Sequence, residues 1–444
     1  MTRRTNATFE ASGALIAGGE VVDTVKNGII DPAAIDDTEA FVWVMMAALM
    51  GAAIWLNTAT ALGAPVSTTH SIVGGVMGAG VAARGWGVVD WQSMGAITTS
   101  WVVSPVAGGL IAAALLYLLE HLVFARDDRL EAVRRVVPAL IALMAWAFVT
   151  YLVLKGLKAL FPLPFAGAAA LGVGVAVLLY WPIRRHVARL SERISPHRKS
   201  LNHLFTYPLI FAAALLSFAH GANDVANAVG PLAGIVEVLT HDPGTAAGGA
   251  GAGKVGIPLW VMAIGAIGIS IGLALFGPRL IRTVGNEITE LDRSRAFCIA
   301  LAAALTVIVA SQLGMPVSST HVTIGAVFGV GFLREFLEQR LSRVVDEVLE
   351  QHEGVDHDAA EAALHRFTRA PTEEKARILK EMKKAGEGAV ITTEQRKRLR
   401  KALRRQLVKR SALLKIASAW IVTVPVSAAM AAGFYFMLRG MLLP

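Results

Sequence analysis

The chain has 444 residues, a formal net charge of +9, and 55% hydrophobic residues even before glycine is counted. A soluble domain reaches only about 45–50% with glycine included, so the composition excludes a disordered protein, a coiled coil and an ordinary soluble enzyme. The single cysteine, Cys298, excludes a disulfide framework and any metal site built from cysteines. The excess of positive charge fits the basic cytoplasmic loops of membrane proteins.

Charged residues lie in clusters that are separated by long uncharged segments. Residues 40–83 form 44 consecutive uncharged positions, and residues 296–333 form 38. About 20 helical residues cross the hydrocarbon core of a bilayer, so each of these segments is long enough for nearly two crossings. Six further uncharged segments cover residues 91–119, 136–154, 159–183, 200–223, 255–278 and 416–438. The predicted fold class is therefore all-α, in a polytopic membrane protein.

One long hydrophilic segment, residues 334–411, interrupts this pattern. Its first part is acidic, and its last part, Arg396–Arg410, holds nine basic residues and no acidic one. Thr393-Glu394 and Thr372-Glu373-Glu374 are typical helix starts, so we expect a small helical insert on the cytoplasmic side. A solvated charged hairpin and a regulatory, partner-binding module both fit this segment. No aromatic residues interleave with the basic ones, so a nucleic-acid partner is not expected.

Basic residues also constrain the topology. Residues 184–199 and 396–410 are both strongly basic, which places both at the cytoplasmic face. Three crossings and one hairpin lie between them, and this number would place them on opposite faces. Either the hairpin completes a crossing, or a helix broken at Gly221 does not, and both alternatives stay open.

The chain contains an internal repeat. Ala64–Gly80 (APVSTTHSIVGGVMGAG) and Met315–Gly331 (MPVSSTHVTIGAVFGVG) share nine of 17 positions at an offset of 251 residues. Around them, Thr24 matches Thr283 at an offset of 259, and Trp101 matches Trp420 at an offset of 319. Two related halves with interrupted helices are typical of secondary transporters.

The repeat divides the chain into five predicted regions. Residues 1–123 form a first transporter repeat, and 124–200 form connecting membrane helices with a basic loop. Residues 201–333 form the second repeat, 334–411 the insert, and 412–444 the last membrane helix of the second repeat.

The repeated Pro-Val-Ser-[Thr/Ser]-Thr-His motif predicts an anion site. In each copy Gly63 or Gly314 ends one helix, and the following Ser and Thr residues start the next. Free N–H groups, the positive end of the helix dipole and hydroxyl donors converge there. Irregular backbone at membrane depth must line a cavity enclosed by protein, which favours a re-entrant hairpin. The other interpretation is that these hydroxyls, with His70 and His321, only satisfy hydrogen bonds inside the bundle.

Two other features of the repeat bear on packing. Glycines follow each motif at helical spacing (Gly74 and Gly78, then Gly325 and Gly329) and would let the two limbs of each hairpin pack tightly. Trp101 and Trp420 are interpreted as packing residues rather than site residues.

A second motif, Gly221-Ala-Asn-Asp-Val-Ala-Asn-Ala228, predicts a cation site. Asn223, Asp224 and Asn227 share one helix face. A carboxylate and two amide carbonyls are hard oxygen ligands, and an aspartate within a membrane segment indicates a functional site. A polar helix-packing contact is the alternative. Three nearby acidic residues are weaker candidates for a cation path: Glu10, Glu20 and Asp23. His220 is interpreted as a hydrogen-bond partner.

These motifs together resemble those of the inorganic phosphate transporter family, Pit type. The resemblance covers most of the chain outside the insert and implies an inverted repeat with two re-entrant hairpins, and phosphate symport with Na⁺ or H⁺ without another cofactor. It assigns the anion to hairpin residues and two asparagines: Ser67, Thr68, Thr69, Ser318, Ser319, Thr320, Asn223 and Asn227. It assigns the cation to Asp224, with Asn223 and Asn227. The family also carries a second copy of the GAND motif, which would precede Met1 here, so we expect that the start is assigned late.

The remaining expectations follow from this interpretation. The chain is not expected to be an enzyme, and it is expected to lie in the cytoplasmic membrane. Its expected partners are phosphate, a coupling cation and lipid. A cytoplasmic regulator that binds at 334–411 and a second copy of the chain are further candidate partners. A permease for another tetrahedral oxyanion such as sulfate and a non-transporting membrane receptor are alternatives. A hydrolase using Ser67, His70 and Asp224 is disfavoured, since no GxSxG or HExxH motif is present.

Overall fold

A computed structural model describes most of the chain, and the statements below concern its described residues. These are residues 3–35, 37–64, 66–126, 128–157, 162–192, 194, 198–240, 257–287, 291–337, 345, 347–350, 355–369, 378–379, 381, 391–403 and 410–442. Pro65 of the first repeat motif and the predicted helix start at Thr372-Glu373-Glu374 lie outside them, as do Gly386 and Gly388, where the sequence indicates a break between two helices of the insert.

The described chain is helical apart from turns and one isolated bridge between Ile30 and Val89. The helices before the GAND motif are α1 Arg3–Ala17, α2 Gly19–Asn27, α3 Thr38–Ala61, α4 Thr68–Arg84, α5 Trp91–Leu119, α6 Arg129–Tyr151, α7 Phe165–Ser191 and α8 Arg198–Leu201. The others are α9 Thr206–Asp224, α10 Ala226–Thr240, α11 Leu259–Glu287, α12 Arg293–Gln312, α13 Ser319–Leu337, α14 Val355–Arg369, α15 Thr393–Leu403 and α16 Arg410–Leu442.

Seven segments of the described chain are long and apolar enough to cross a membrane. They are Thr38–Ala61, Trp91–Phe124, Arg129–Gly156, Phe165–Ser191, Asn202–Thr240, Arg293–Gln312 and Ala417–Met441, and Leu259–Leu275 is a shorter apolar helix. Many large apolar side chains on these helices are exposed, as lipid-facing surfaces require; Leu178 of α7, for example, is 75% exposed. The predicted all-α, multi-pass architecture is confirmed.

The chain divides into two compact units. The larger contains residues 1–287, 291–330 and 410–444, and the smaller contains residues 288–290 and 331–409. The smaller unit has its own apolar core, made by Val348, Leu364, Phe367, Ile378, Leu379, Ile391 and Leu399. Within it α15 begins at Thr393, at the predicted helix start. The insert is therefore a packed helical unit rather than a solvated hairpin.

Each repeat motif lies in a helix–turn–helix hairpin of the larger unit. The first hairpin is α3, a loop of residues 62–67, and α4; the second is α12, a loop of residues 313–318, and α13. The second residue of each loop, Gly63 (φ +71°) or Gly314 (φ +67°), lies in the left-handed region that favours glycine. Re-entry of the hairpins and the inverted orientation of the repeats stay predictions.

Glycines pack each hairpin against the other half of the chain. A methyl group added at Gly74 or Gly78 of α4 would overlap the backbone of α16, at Val424 or Ala428. The prediction that these glycines join the two limbs of a hairpin is therefore wrong for α4.

The second hairpin shows the same arrangement with α5, so the prediction of tight packing between the limbs is wrong for the glycines of α13 as well. A methyl group at Gly325 or Gly329 of α13 would overlap the backbone of Pro105 or Gly109. Close approach needs small residues on both helices, and α5 and α16 supply the matching surface. Each hairpin is thus completed by the last helix of the other repeat.

The helix that carries the GAND motif passes through Gly221 without a break. It is interrupted at Val225, between α9 and α10, which corrects the expected break at Gly221. Gly221 instead permits contact with α1, since a methyl group there would overlap the Glu10 carbonyl. The polar residues of the motif lie on both sides of Val225, and Val225 itself keeps helical dihedral angles (φ −58°, ψ −31°).

Candidate functional site

Both hairpin loops end in a serine that caps the next helix. Ser67 Oγ accepts a hydrogen bond from the His70 N–H (3.1 Å), and Ser318 Oγ accepts one from the His321 N–H (3.3 Å). Serine is a preferred cap because its hydroxyl satisfies one of the free N–H groups of the first turn. Both serines are buried. Their hydroxyl oxygens therefore stabilise the two helix starts.

Asp224 lies between the two helix starts. Its Oδ2 accepts hydrogen bonds from Thr68 Oγ1 of α4 (3.0 Å) and Ser319 Oγ of α13 (3.3 Å). His220 Nε2, one turn earlier on α9, lies 3.3 Å from the same oxygen. Asp224 is only 9% exposed. The carboxylate thus faces the positive ends of two helix dipoles.

The two asparagines of the motif attach it to one hairpin each. Asn227 Nδ2 donates to Thr68 Oγ1 (3.1 Å) and Thr69 Oγ1 (3.3 Å) in the first hairpin. Asn223 Nδ2 donates to Ser311 Oγ (3.0 Å) and the Met315 carbonyl (3.2 Å) in the second. The polar face of the GAND motif is therefore hydrogen-bonded to the hairpins of both repeats.

Three side-chain oxygens of this face are buried without a partner. Among the described residues, Oδ1 of Asn223, Oδ1 of Asp224 and Oδ1 of Asn227 accept no hydrogen bond. Buried polar atoms are nearly always paired, so three unpaired acceptors on one helix face need a functional explanation. One carboxylate and two amide oxygens are a ligand set for a small hard cation.

Seven of the eight predicted anion-site residues are brought together here, and Thr320 is the exception. It lies at the start of α13 and is half-buried. Its counterpart Thr69 is buried and donates to the Val317 carbonyl (3.1 Å). The two copies of the motif therefore differ in how they are held.

The motif histidines form a stack of aromatic rings. The His70 and His321 rings lie 4.4 Å apart between centroids. Trp101 contacts His70 edge-on (3.7 Å), and Trp420 stacks on His321 (3.5 Å). Each tryptophan ring therefore packs against one of the two motif histidines.

Of the weaker acidic candidates, Glu10 reaches the site. Its Oε1 lies 3.3 Å from His220 Nδ1, so His220 bridges Glu10 and Asp224. Asp23 instead lies 3.9 Å from Lys26, which pairs with Glu237 at 2.6 Å. The Glu20 side chain is outside the described atoms.

Three polar residues of the site were missed or undervalued from the sequence: Thr24, Trp101 and Ser311. Thr24 Oγ1 donates to the Gly314 carbonyl (2.7 Å), and Trp101 Nε1 donates to the Pro316 carbonyl (3.2 Å). The sequence repeat could have identified Thr24, because this residue matches Thr283 in the other half of the chain. Ser311 had only its polarity within an apolar helix.

Two helix starts and an acidic, amide-rich helix face, enclosed by helices of membrane length, define a membrane transport protein. The chain belongs to the phosphate transporter family, which it matches over residues 5–431. It is 48% identical to a "Putative phosphate permease" of Helicobacter pylori strain J99 over 433 residues, 96% of this chain and 80% of the relative.

More distant proteins agree with this assignment. A Pyrococcus abyssi protein with the same description is 39% identical over 329 residues, 73% of this chain and 78% of the relative. The solved structure of "The sodium-dependent phosphate transporter" matches with a TM-score of 0.76 and 29% identity, covering 99% of this chain and 90% of that one. The expectation that the chain is a transporter and no enzyme is confirmed.

Proposed function

We propose that this protein imports inorganic phosphate by symport with a cation. The observation that carries the proposal is the convergence of two helix starts on Asp224, whose neighbouring amide oxygens are unpaired. Phosphate would receive donors from the hairpin starts through Ser67, Thr68, Thr69, Ser318, Ser319 and Thr320, with the amides of Asn223 and Asn227. The cation would be held by Asp224 Oδ1 and the two asparagine Oδ1 atoms.

Coupling follows from the limited number of hydroxyl protons. Thr68 and Ser319 each have one O–H to donate, and both donate it to Asp224 here. If they turn to phosphate, the buried carboxylate loses two donors beside an incoming anion. A cation on Asp224 compensates that loss. Phosphate and cation therefore bind together more readily than either alone, which is the thermodynamic requirement for symport.

Na⁺ is the coupling ion we propose, with H⁺ as the alternative. The name of the similar solved structure supports sodium dependence for that protein. In this chain, Na⁺ is supported by three side-chain oxygens on one helix face that have no hydrogen-bond partner, because binding of a proton would need only one of them.

Flux measurements in proteoliposomes test the proposal. We expect imposed Na⁺ gradients to drive uptake of labelled phosphate, and Asp224→Asn to abolish the cation-dependent part. Asp37→Asn is the matched control, because this aspartate caps α3 through the Glu39 N–H and asparagine caps equally well. Normal Na⁺-dependent uptake by Asp224→Asn would contradict the assignment of Asp224.

Two further arms separate the alternatives. Phosphate uptake driven by a proton gradient alone would identify H⁺, and not Na⁺, as the coupling ion. Uptake of labelled sulfate, competing equally with phosphate, would identify a general oxyanion permease, and binding without flux would identify a receptor.

The proposal includes location and partners. The basic segments 184–199 and 396–410 support the cytoplasmic membrane, with both segments inside. The independent core of the insert supports a regulator that binds within 334–411. The exposed apolar face of α7, with Leu178 and Trp181, suits lipid or a second copy of the chain, and the mass of the protein in detergent distinguishes a dimer from a monomer.

A further inference from the structure

An open cleft lies where two membrane segments begin. Its volume is about 450 Å³, and its lining comes from the first residues of the segments Asn202–Thr240 and Arg293–Gln312. The two starts are joined by a hydrogen bond, since the Ser294 N–H donates to Asn202 Oδ1 (3.2 Å). Asp224 lies roughly 30 Å farther along the first segment at 1.5 Å per residue. The cleft is therefore separate from the proposed transport site.

The mouth of the cleft carries a positive charge. Arg293 Nη1 donates to His203 Nδ1 (2.5 Å), and both side chains are exposed. Because a guanidinium only donates, the neutral His203 ring carries its proton on Nε2, which makes this ring a second donor. Asp292, the acidic residue of the lining, is paired with Arg295 (3.5 Å). Among the described residues that line the cleft, the charge left over is that of Arg293.

Apolar side chains continue the cleft into the two segments. Leu209 lies roughly 10 Å farther along its segment than Asn202, and Ala296 lies about one turn beyond Arg293. Leu209 and Ala296 are half-buried, and Leu291 at the outer edge is 41% exposed. The lining thus changes from basic and polar at the mouth to apolar farther inside.

Neighbouring residues indicate that the mouth lies at the level of the lipid headgroups. Trp181 near the end of α7 and Tyr207 at the start of α9 are each 57% exposed. The Arg184 guanidinium lies 5.7 Å from the centre of the Trp181 ring, and the rings of His186 and Tyr207 lie 6.1 Å apart. Exposed tryptophan and tyrosine are typical of the membrane–water interface. The basic segment 184–199 makes this the side that we propose to be cytoplasmic.

We propose that this cleft binds an anionic phospholipid. Its phosphate would lie at Arg293 and His203, and an acyl chain would follow Leu209 and Ala296. Arginine forms two parallel hydrogen bonds with a phosphate, and basic pockets between membrane helices suit anionic headgroups. A free phosphate ion would use the basic mouth but not the apolar lining, so a lipid is the better match. The bound lipid would bridge α12 and the segment that carries Asp224, and would stabilise their packing.

Lipid titrations of the purified protein test the site. Phosphatidylglycerol is added to delipidated protein in detergent, and native mass spectrometry measures the dissociation constant of the most tightly bound lipid. We expect Arg293→Gln to raise this constant about tenfold, because a hydrogen bond between charged groups is lost. Wild type should bind phosphatidylglycerol more tightly than phosphatidylcholine, and equal binding of the two lipids would contradict the proposal.

Arg135→Gln is the matched control. The Arg135 side chain is 69% exposed, and its Nε pairs with Glu131 at 2.9 Å. It lies near the same end of α7 as the cleft, because its neighbour Arg134 donates to Ser191 Oγ at the last residue of that helix (2.7 Å). Equal weakening by Arg135→Gln and Arg293→Gln would mean that net charge alone attracts the lipid, and would refute the cleft as a site.

Ala296→Leu tests the apolar part of the cleft and separates a lipid from a soluble phosphate compound. The larger side chain fills the lining without a change of charge, so it should weaken the binding of phosphatidylglycerol. Calorimetry measures the deacylated headgroup, glycerophosphoglycerol, on wild type. If this headgroup binds as tightly as the intact lipid, the ligand is a soluble phosphate compound and the lipid assignment is wrong.

Thermal midpoints provide a second measurement that does not depend on phosphate uptake. Midpoints in lipid-free detergent show whether the variants are folded. Because a ligand that binds the folded state stabilises it, phosphatidylglycerol should raise the midpoint of wild type and Arg135→Gln more than that of Arg293→Gln. The same rise in all three proteins would contradict the proposal.

Discussion

Thr68 connects the two parts of the site through one hydroxyl. It donates to Asp224 and accepts from Asn227, so the same oxygen contacts the proposed cation ligand and the amide assigned to the anion. Its equivalent, Ser319, donates to the same carboxylate oxygen. A hydroxyl can redirect its proton by rotation alone, which makes Thr68 suited to exchange Asp224 for phosphate.

We expect Thr68→Val to raise the KM for phosphate about tenfold or more, because a hydrogen bond to a charged group is lost. Thr68→Ser should stay near wild type. Thr98→Val serves as the control, since Thr98 donates only to Met94 within its own helix. Uptake kinetics check the values, and an unchanged KM in Thr68→Val would remove this hydroxyl from the anion site.

Asp292, outside the membrane segments, shows an electrostatic effect at a helix start. It caps α12 by accepting from the Arg295 N–H (3.0 Å) and Ser294 Oγ (2.8 Å). Partial burial raises the pKa of its carboxyl, but the Arg295 charge and these hydrogen bonds outweigh burial and hold the pKa below its usual range. Its contribution to stability is therefore complete above about pH 4 and is lost as the pH falls through the lowered pKa.

The corresponding variant is Asp292→Asn, which keeps the cap but does not titrate. We expect wild type to exceed the variant in thermal midpoint at pH 7, and the difference to shrink on acidification below about pH 4. Midpoints in detergent at several pH values test this. A constant difference would mean that the Asp292 charge does not contribute.

The sequence predicted this site at the level of residue types but not of individual bonds. The motifs identify the hydroxyls and amides, because hydroxyl-rich helix starts and an acidic helix face recur with characteristic spacing. The partners of the second loop could not be predicted, since Thr24 and Trp101 come from distant helices, and only tertiary packing places their donors beside Gly314 and Pro316.

At the scale of elements, small residues decide which helices meet. Gly325 and Gly329 bring the backbone of α13 against that of α5, and Gly74 and Gly78 bring α4 against α16. The spacing of these glycines predicts a close helix pair but does not identify the partner. The helix bounds were predictable from charge and capping residues, while the interruption at Val225 was not, because neither glycine nor proline marks it.

Gly329→Ala should lower the thermal midpoint, because the added methyl overlaps the backbone of Gly109 and overpacking typically costs about 1–3 kcal/mol. Gly433→Ala is the control, since no atom lies within 4 Å of the added carbon, and alanine there should be neutral or slightly stabilising. Equal thermal midpoints for the two variants would show that α5 and α13 can move apart to accommodate the added methyl group without a loss of stability.

At the scale of the molecule, the insert has its own core. Phe367 is completely buried within the smaller unit, among Leu364, Leu399 and the other core residues. The acidic and basic halves of the segment were readable from the sequence, but the few apolar residues that hold it together are too dispersed to reveal a core.

Phe367→Ala should unfold the smaller unit, because removing a buried phenylalanine costs about 3–5 kcal/mol and this core contains seven buried residues. We expect faster proteolysis within residues 331–409 and unchanged phosphate uptake in the absence of a regulator. His365→Ala, at an exposed position of the same helix, is the control. Loss of uptake by Phe367→Ala alone would show that the insert is required for transport itself.

The crossed packing of the hairpins also sets an order of assembly during synthesis. The glycine face of α4 is complete at Arg84, yet its partner surface on α16 begins only at Val424. At about 5–20 residues per second, α4 waits roughly 20–70 s before α16 is made. The second hairpin, in contrast, finds α5 already synthesised. Cleavage of the nascent chain before α16 would therefore leave the first hairpin without its contact to that helix, and assembly of the hairpin depends on a helix that is synthesised long after α4.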